Sequence, residues 1–513
     1  MDGCKGCASG ETSKLPFTEC YTSVSLTESQ FKQATWEWVQ DTAAATSTWG
    51  DIGDWDVSGV KDFSLAFSKH RDAGGSYVTN GNSKASTFVG TAISKWTTTA
   101  LTSLVNTFRD AGAMNSNLGG WSVVKVTTMN AVFYGASKFT GGGLNLWKTT
   151  ALTDLNSAFD STGEMNSDLG GWNVAKVTSM VYTFKRASKF IGTGLGSWDT
   201  AAVTTLSETF YANGWSSEMI ADLSGWDVAK VTTLYQTFKG ASKFAGNDLG
   251  LWNTASVTSL YGTFSEAVEM NSDLSKWSVA KVTTLYQTFK GASKFAGTDL
   301  GLWNTASVTS LVETFKEASK FAGTGLASWN TASVTSLHSA FALAPEMNSD
   351  LSKWSVAKVT TLWNTFYGAS KFAGKDLGSW DTTAVTSLYY TFKNAGEMNA
   401  DLSGWTVANV KTLEFTFSDA SKFTGVGLAS WDVGAVTKFG DTFTGSTALD
   451  SCEKRKIADA DAWKNNAAFA ANTGYIAAWA ADLCPPLTNV QFKRASWGTF
   501  DSGRMIELKV PNE

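Results

Sequence analysis

The residue types that most often do catalytic chemistry are few in this chain of 513 residues and are not grouped. Its two histidines, His70 and His338, are too few for histidine-based catalysis or for a histidine-rich metal site. Neither a Gly-x-Ser-x-Gly motif nor a phosphate-binding P-loop occurs. We therefore expect no enzymatic activity, no catalytic residue, no metal and no cofactor.

The five cysteines lie only near the two ends of the chain. Cys4, Cys7 and Cys20 come early, and Cys452 and Cys484 come late. A disulfide between Cys452 and Cys484 is the predicted staple of the C-terminal region, and it would fit an oxidising compartment. Buried free thiols are the open alternative. Cys4-x-x-Cys7 lacks a second pair, so we expect no metal site there.

An Asp precedes a Leu at a recurring position, and a Glu recurs a few residues earlier. Stacked on one another, these carboxylates could hold calcium. The simpler interpretation, which we favour, gives each Asp a turn or capping role and pairs the charge with Lys. The positions are Asp168, Asp222, Asp248, Asp273, Asp299, Asp350, Asp376 and Asp401, with Glu164, Glu218, Glu269, Glu346 and Glu397.

Tryptophan is the most regular feature of the sequence. Fifteen of the 23 Trp residues recur mostly at intervals of 25 or 26, which identifies an internal repeat. The spacing widens twice, at an insertion over residues 71–87 and near Gly214. The recurring positions are Trp55, Trp96, Trp121, Trp147, Trp172, Trp198, Trp226, Trp252, Trp277, Trp303, Trp329, Trp354, Trp380, Trp405 and Trp431.

Each repeat is predicted to form one coil with a short helical turn and a short strand. Val257, Leu260, Phe264 and Ala267 have helical spacing, and Thr258 stands where a helix N-cap would. The following D-L-x-x-W-x-V stretch predicts a strand. Two coil types alternate, one with Lys-Phe (as at Phe244) and one with Glu-Met-Asn (as at Met270); we call them Phe-type and Met-type.

One coil cannot bury both of its faces, so about fifteen coils are expected to stack into an α/β solenoid. The predicted core anchors are Trp121, Trp172, Trp226, Trp277, Trp354, Leu260 and Phe264. Trp215 and Trp363 fall outside the regular spacing and are the candidate contact residues. A Trp per coil could instead present a row of rings to a sugar.

The motif V-T-S-L-x-x-T-F followed by D-L-x-x-W resembles the BspA-like repeats of bacterial surface proteins. It is most similar to the variant of about 25 residues known from mycoplasma lipoproteins and from algal and protist proteins. The resemblance covers about residues 50 to 445, and residues 25–55 and 452–479 resemble the helices that flank such repeats. It implies a leucine-rich-repeat-like fold and a surface role in adhesion or assembly, and it carries no catalytic residue.

The predicted organisation has three parts. Residues 1–52 form a polar segment with a helical cap, residues 53–445 the solenoid, and residues 446–513 a C-terminal cap with helices and a tail. A unique binding site is expected at the insertion 71–87 or at the caps, because a residue repeated in every coil cannot define a single site.

The predicted function is a non-catalytic scaffold that contacts a protein partner or copies of itself, with a glycan-binding adhesin as the alternative. The net charge of -5 gives no reason to expect a nucleic-acid partner, and no apolar run is long enough for a membrane span. The resemblance and the terminal cysteines favour an extracellular or cell-surface location. The N-terminal sequence MDGCKGCASGETSK shows no apolar signal-peptide stretch, which favours a chain that is processed or not secreted.

Overall fold

Within the described part of the chain, helices and strands lie near the two ends. A computed structural model describes residues 11–13, 20–22, 25–212, 214, 217–247, 249–471, 475 and 479. The elements are β1 (Glu11–Ser13) antiparallel to β2 (Cys20–Thr22), α1 (Glu28–Gln40), α2 (Thr42–Trp49), α3 (Ser451–Asp459), α4 (Asp461–Lys464) and α5 (Ala467–Ala471). Short 3-10 turns occupy Ile52–Asp54, Ser83–Thr87, Thr91–Lys95, Leu144–Leu146, Leu195–Ser197, Leu249–Leu251, Leu300–Leu302, Leu326–Ser328, Leu377–Ser379 and Leu428–Ser430.

Successive repeats stack in parallel, and we call one repeat a coil. Isolated parallel bridges connect equivalent residues of neighbouring coils, as between Thr233, Ser259 and Thr284. The prediction of a short strand around each Trp is wrong, because residues 274–279 carry no strand. The parallel bridges lie instead at the residue before the coil's Leu, in most coils a Ser or Thr, and each bridge is one residue wide.

The prediction of a helical turn after Val257 is also wrong. From Leu260 onward, alternate backbone N–H groups donate to a carbonyl oxygen of the same coil and to a carbonyl oxygen of the next coil. Thr263 donates to Leu260 O of its own coil at 3.2 Å, whereas Phe264 donates to Thr288 O of the next coil at 2.9 Å. The alternation requires left-handed residues, and Glu266 has a φ of 60°. Half of these backbone groups therefore bind the neighbouring coil, which a helix would not allow.

Thr258 does not cap a helix. Its Oγ1 donates to the carbonyl oxygen of Thr232 in the preceding coil at 3.0 Å, and its backbone N–H donates to the same oxygen at 2.8 Å. Thr therefore recurs at this position because it hydrogen-bonds each coil to the preceding coil, and not because it caps a helix.

Two aromatic columns form the core. Each repeat Trp from Trp96 to Trp431 is buried and donates its Nε1–H to a Leu or Ile carbonyl of the preceding coil at 2.7–3.0 Å. Beside them, the Phe rings from Phe67 to Phe443 stack with centroids 5.5–5.9 Å apart. Apolar burial and a satisfied indole N–H thus repeat in every coil.

Both ends of the stack are covered. Glu28 of α1 accepts the backbone N–H of Lys61 at 2.6 Å. At the other end, Trp463 of α4 takes the place of a repeat Trp: its Nε1–H donates to Leu428 O at 2.9 Å. Asn466 donates its Nδ2–H groups to Val433 O and Val436 O. Lys61 N–H and Leu428 O, which would otherwise bind a further coil, therefore already have partners in the caps.

Candidate functional site

The predicted core anchors lie in the interior. Trp121, Trp172, Trp226, Trp277 and Trp354 are each at most 4% exposed. Leu260 and Phe264 are equally buried. The regular Trp column therefore offers no ring face to a ligand, and the row of sugar-binding Trp rings considered from the sequence does not exist at these positions.

A different column of aromatic side chains lies at the surface. It occupies the position directly after the buried Leu in the coils from Leu234 to Leu388, with Val312 as the exception, and we call it the aromatic stripe. Tyr235 and Tyr261 have ring centroids 5.0 Å apart, and Tyr261 and Tyr286 are 4.6 Å apart. The stripe continues after Val312 with His338, Trp363 and Tyr389.

The local backbone turns these side chains outward. The preceding Leu234 is fully buried, and the residue after it projects to the opposite side, so Tyr235 is 36% exposed. The N–H of Tyr235 donates to Thr233 Oγ1 at 3.1 Å, which holds this turn in place. Of the sequence-predicted contact residues, Trp363 lies on the stripe and is 43% exposed.

The C-terminal part of the stripe widens into a cluster. Trp363 meets the Tyr389 ring edge-on at 5.6 Å. Tyr390 lies 4.3 Å from Tyr389 and 4.6 Å from Phe415. The ammonium group of Lys393 sits over the Phe415 ring at 4.5 Å. We call these five residues the aromatic cluster; a partly exposed group of Trp, Tyr, Phe and a cation is typical of binding hot spots.

A charged group separates the two halves of the stripe. Glu313 is bound by Lys290 at 2.8 Å, Gln287 at 2.7 Å and Lys316 at 3.1 Å. Burial acts to raise the pKa of Glu313, but the hydrogen bonds from Lys290, Gln287 and Lys316 outweigh it and lower the pKa to about 2. Burial also lowers the pKa of His338, which keeps that ring neutral at physiological pH.

Glu313→Gln is expected to destabilise the protein by about 2 kcal/mol at neutral pH. The hydrogen bonds from Lys290, Gln287 and Lys316 stabilise the ionised carboxylate in the folded state and are absent from the unfolded state. The lowered pKa places this stabilisation above about pH 5, and it is lost as the pH falls towards 2. Urea unfolding at several pH values measures it. In Glu269→Gln, which removes an exposed pair, stability should hardly change; equal losses in both variants would contradict the assignment.

Cations stacked on rings line the side of the stripe towards the N-terminus. Lys185 lies over Tyr182 at 4.3 Å and over Tyr211 at 4.8 Å. Arg109 lies over Tyr134 at 4.6 Å, and Tyr77 from the insertion covers it at 5.6 Å. The insertion thus adds one ring to this face.

Most of the insertion serves another purpose, since it packs against α1. Asn82 accepts a hydrogen bond from Gln40 at 2.7 Å, and Lys84 donates to Gln40 O. The guanidinium of Arg71 is buried and bound by carbonyl oxygens of α1 and of the first coil. The insertion is therefore largely part of the N-terminal cap, and the aromatic stripe, which sequence reasoning did not single out, is the stronger site candidate.

The recurring Asp and Glu carboxylates have partners in the protein itself. Lys294 of a Phe-type coil pairs with Glu269 of the preceding Met-type coil at 2.5 Å. The same pair recurs at Lys189–Glu164, Lys243–Glu218, Lys371–Glu346 and Lys422–Glu397. Asp273 Oδ1 accepts the N–H of Ser275 at 2.9 Å, and this turn lowers the pKa of Asp273. Among the described residues no group of three potential metal ligands occurs.

Some predicted residues lie outside the described part of the chain. Trp215 and Cys484 are among them, so the contact role of Trp215 and the Cys452–Cys484 disulfide remain predictions. Among the described helices, none has the length and apolar character needed to span a membrane.

Comparison with known proteins places the repeats in a family. The sequence model of one family matches five consecutive segments, residues 41–142, 140–215, 212–298, 283–378 and 362–473. No curated protein matches the chain. Because the matches run through the whole stack of coils, the chain is a tandem-repeat protein, and it belongs to the family described as Mycoplasma protein of unknown function, DUF285.

Proposed function

We propose that this protein is a non-catalytic scaffold, a leucine-rich-repeat-like solenoid that binds a protein partner through its aromatic stripe. The observation that carries the proposal is the surface run of Tyr, His and Trp side chains, in which Trp363 is 43% exposed although the repeat Trp residues are buried. Tyr and Trp are enriched among the few residues that carry most of the binding energy of protein interfaces, and they cost little conformational entropy.

The covered ends favour a lateral interface over end-to-end stacking. Glu28 and Trp463 bind backbone groups that a further coil would otherwise bind. A partner therefore has the side of the stack available, and the stripe places aromatic side chains on that side. Self-association, if it occurs, would use the same face.

The geometry of the stripe favours a protein over a glycan. Sugars stack on free ring faces, whereas the faces of Tyr261 are turned towards Tyr235 and Tyr286, with which it stacks. His338 likewise covers one face of Trp363 at 4.8 Å. The stripe presents ring edges and hydroxyl groups, which suit a polypeptide surface. A glycan-binding adhesin is the weaker alternative.

We further propose a cell-surface or extracellular location and an adhesive or assembly role, as in the BspA-like proteins. The similarity of the repeats to those surface proteins supports it. Antibody labelling of intact cells, compared with permeabilised cells, tests the location.

Trp363→Ala combined with Tyr389→Ala is expected to weaken partner binding at least about tenfold, because two central aromatic side chains are lost. Cross-linking mass spectrometry on native material would first identify the partner through Lys393, which lies beside Tyr390. Isothermal titration calorimetry then compares the affinity of the purified partner for the wild type and for the double variant. Stability should change little, because Trp363 is exposed.

Leu302→Ala is the matched control, since Leu302 is 75% exposed and belongs to a 3-10 turn outside the stripe. It should bind like the wild type. Wild-type affinity in the double variant would overturn the proposal. A sugar ligand found on a glycan array, with binding lost in the same double variant, would establish the adhesin alternative instead.

A further inference from the structure

Three tyrosines in consecutive coils form a continuous stack at the surface. The Tyr261 ring lies 5.0 Å from Tyr235 with an interplanar angle of 29°, and 4.6 Å from Tyr286 with an angle of 17°. Tyr235 is exposed, and Tyr261 and Tyr286 are partly exposed. Small oxidants in solution can therefore reach all three phenols.

The backbone holds these rings next to one another. Gln236 N–H donates to Tyr261 O at 2.8 Å, and Gly262 N–H donates to Tyr286 O at 2.8 Å. Two reactive groups fixed in this way react as if at very high local concentration. Burial raises the pKa of Tyr235 and Tyr261, so both phenols are protonated at neutral pH and lose a proton to solvent when they are oxidised.

We propose that Tyr235, Tyr261 and Tyr286 form an oxidative cross-linking site at which neighbouring phenols couple into dityrosine under peroxide and a haem peroxidase. Each phenol loses one electron and its hydroxyl proton, which leaves a phenoxyl radical. The two radicals join through a new bond between one Cε carbon of each ring. The hydrogens on these carbons then pass as protons to the two ring carbonyl oxygens that the coupling leaves, which restores two phenol hydroxyls. The two electrons and two protons released reduce one hydrogen peroxide to two waters.

Such a bond would staple one coil to the next. No cysteine occurs between Cys20 and Cys452, so the coils have no disulfide available. A covalent link between coils constrains the unfolded chain much as a disulfide does, and it would raise the resistance of the central coils to unfolding.

The test exposes the full-length chain to hydrogen peroxide and a haem peroxidase, followed by trypsin and mass spectrometry. The expected product joins peptide 244–276, which contains Tyr261, to the sequence VTTLYQTFK, which occurs at both 231–239 and 282–290. Its mass is lower than the sum of the two peptides by two hydrogens. Its yield should not depend on protein concentration, because the reaction is intramolecular.

Tyr261→Phe should abolish this product, which mass spectrometry distinguishes from any coupling of Tyr389 with Tyr390, whose rings lie 4.3 Å apart. Tyr182→Phe is the matched control, because Tyr182 is 36% exposed like Tyr235 but has Lys185 over its ring; it should give the wild-type yield. The proposal is overturned if the wild type does not give this cross-linked product, or if coupling produces only covalent dimers whose yield rises with protein concentration.

Discussion

Trp277→Ala is expected to destabilise the central coils by about 4 kcal/mol. The indole is 2% exposed, stacks 6.2 Å from the Trp252 ring and lies 5.8 Å from Phe264. Its Nε1–H also donates to Leu249 O at 2.8 Å, so the substitution leaves a cavity and removes one of the two hydrogen bonds that Leu249 O accepts, the other coming from the N–H of Trp252. Denaturant unfolding measures the loss.

The loss should be local, since a coil contacts mainly its two neighbours. Hydrogen exchange should therefore accelerate around residues 249–303 and remain slow in distant coils. Trp363→Ala is the matched control: the same residue type is removed from a position that is 43% exposed, and the cost should stay below about 1 kcal/mol. Equal losses for the two variants would refute the assignment of one Trp to the core and the other to the surface.

The repeat and its apolar positions could be predicted from the sequence, but its backbone could not. Val257, Leu260 and Phe264 are buried as their spacing indicated. Helical spacing was nevertheless misleading, because a chain that alternates right-handed and left-handed residues also returns its side chains to one face. The left-handed positions are often occupied by residues other than glycine, such as Gln236 and Glu313, so the sequence does not mark them.

A clue to this backbone is present in the sequence. Gly262 has a φ of 58° at the position where Gln236 has 48°, and Gly291 has 68° where Glu266 has 60°. A glycine that recurs at one register in some repeats indicates a left-handed position in all of them. Comparison of equivalent positions among the coils would therefore have predicted turns in place of a helix.

The candidate site was predictable only in part. Trp363 was singled out because it departs from the regular spacing of Trp, and it does lie at the surface. Tyr235, Tyr261 and Tyr286 were overlooked because they occupy a variable position within the repeat motif. The left-handed residues after the Leu decide which side of the coil this position faces. The stripe therefore could not be predicted without the backbone conformation.

Arg71→Met is expected to destabilise the N-terminal cap and first coil by about 3–5 kcal/mol. The guanidinium is fully buried and donates to Ala66 O at 2.8 Å, to Lys32 O at 2.7 Å and to Thr35 Oγ1 at 3.1 Å. Burial lowers the pKa of Arg71 to about 10, so it remains charged at neutral pH. Methionine fills similar space but donates no hydrogen bond, so all three of these contacts from the insertion to α1 and the first coil are lost.

The consequence should be visible at one end of the molecule. Hydrogen exchange in α1 and in residues 61–72 should become faster, whereas coils beyond Trp147 keep their protection. Lys84→Met is the control within the same insertion, because Lys84 is exposed and makes one bond, to Gln40 O at 2.7 Å; its effect should stay below about 1 kcal/mol. If Arg71→Met left α1 as protected as in the wild type, Arg71 would not be what fastens the cap to the first coil, and the insertion would be free to act as a separate binding element.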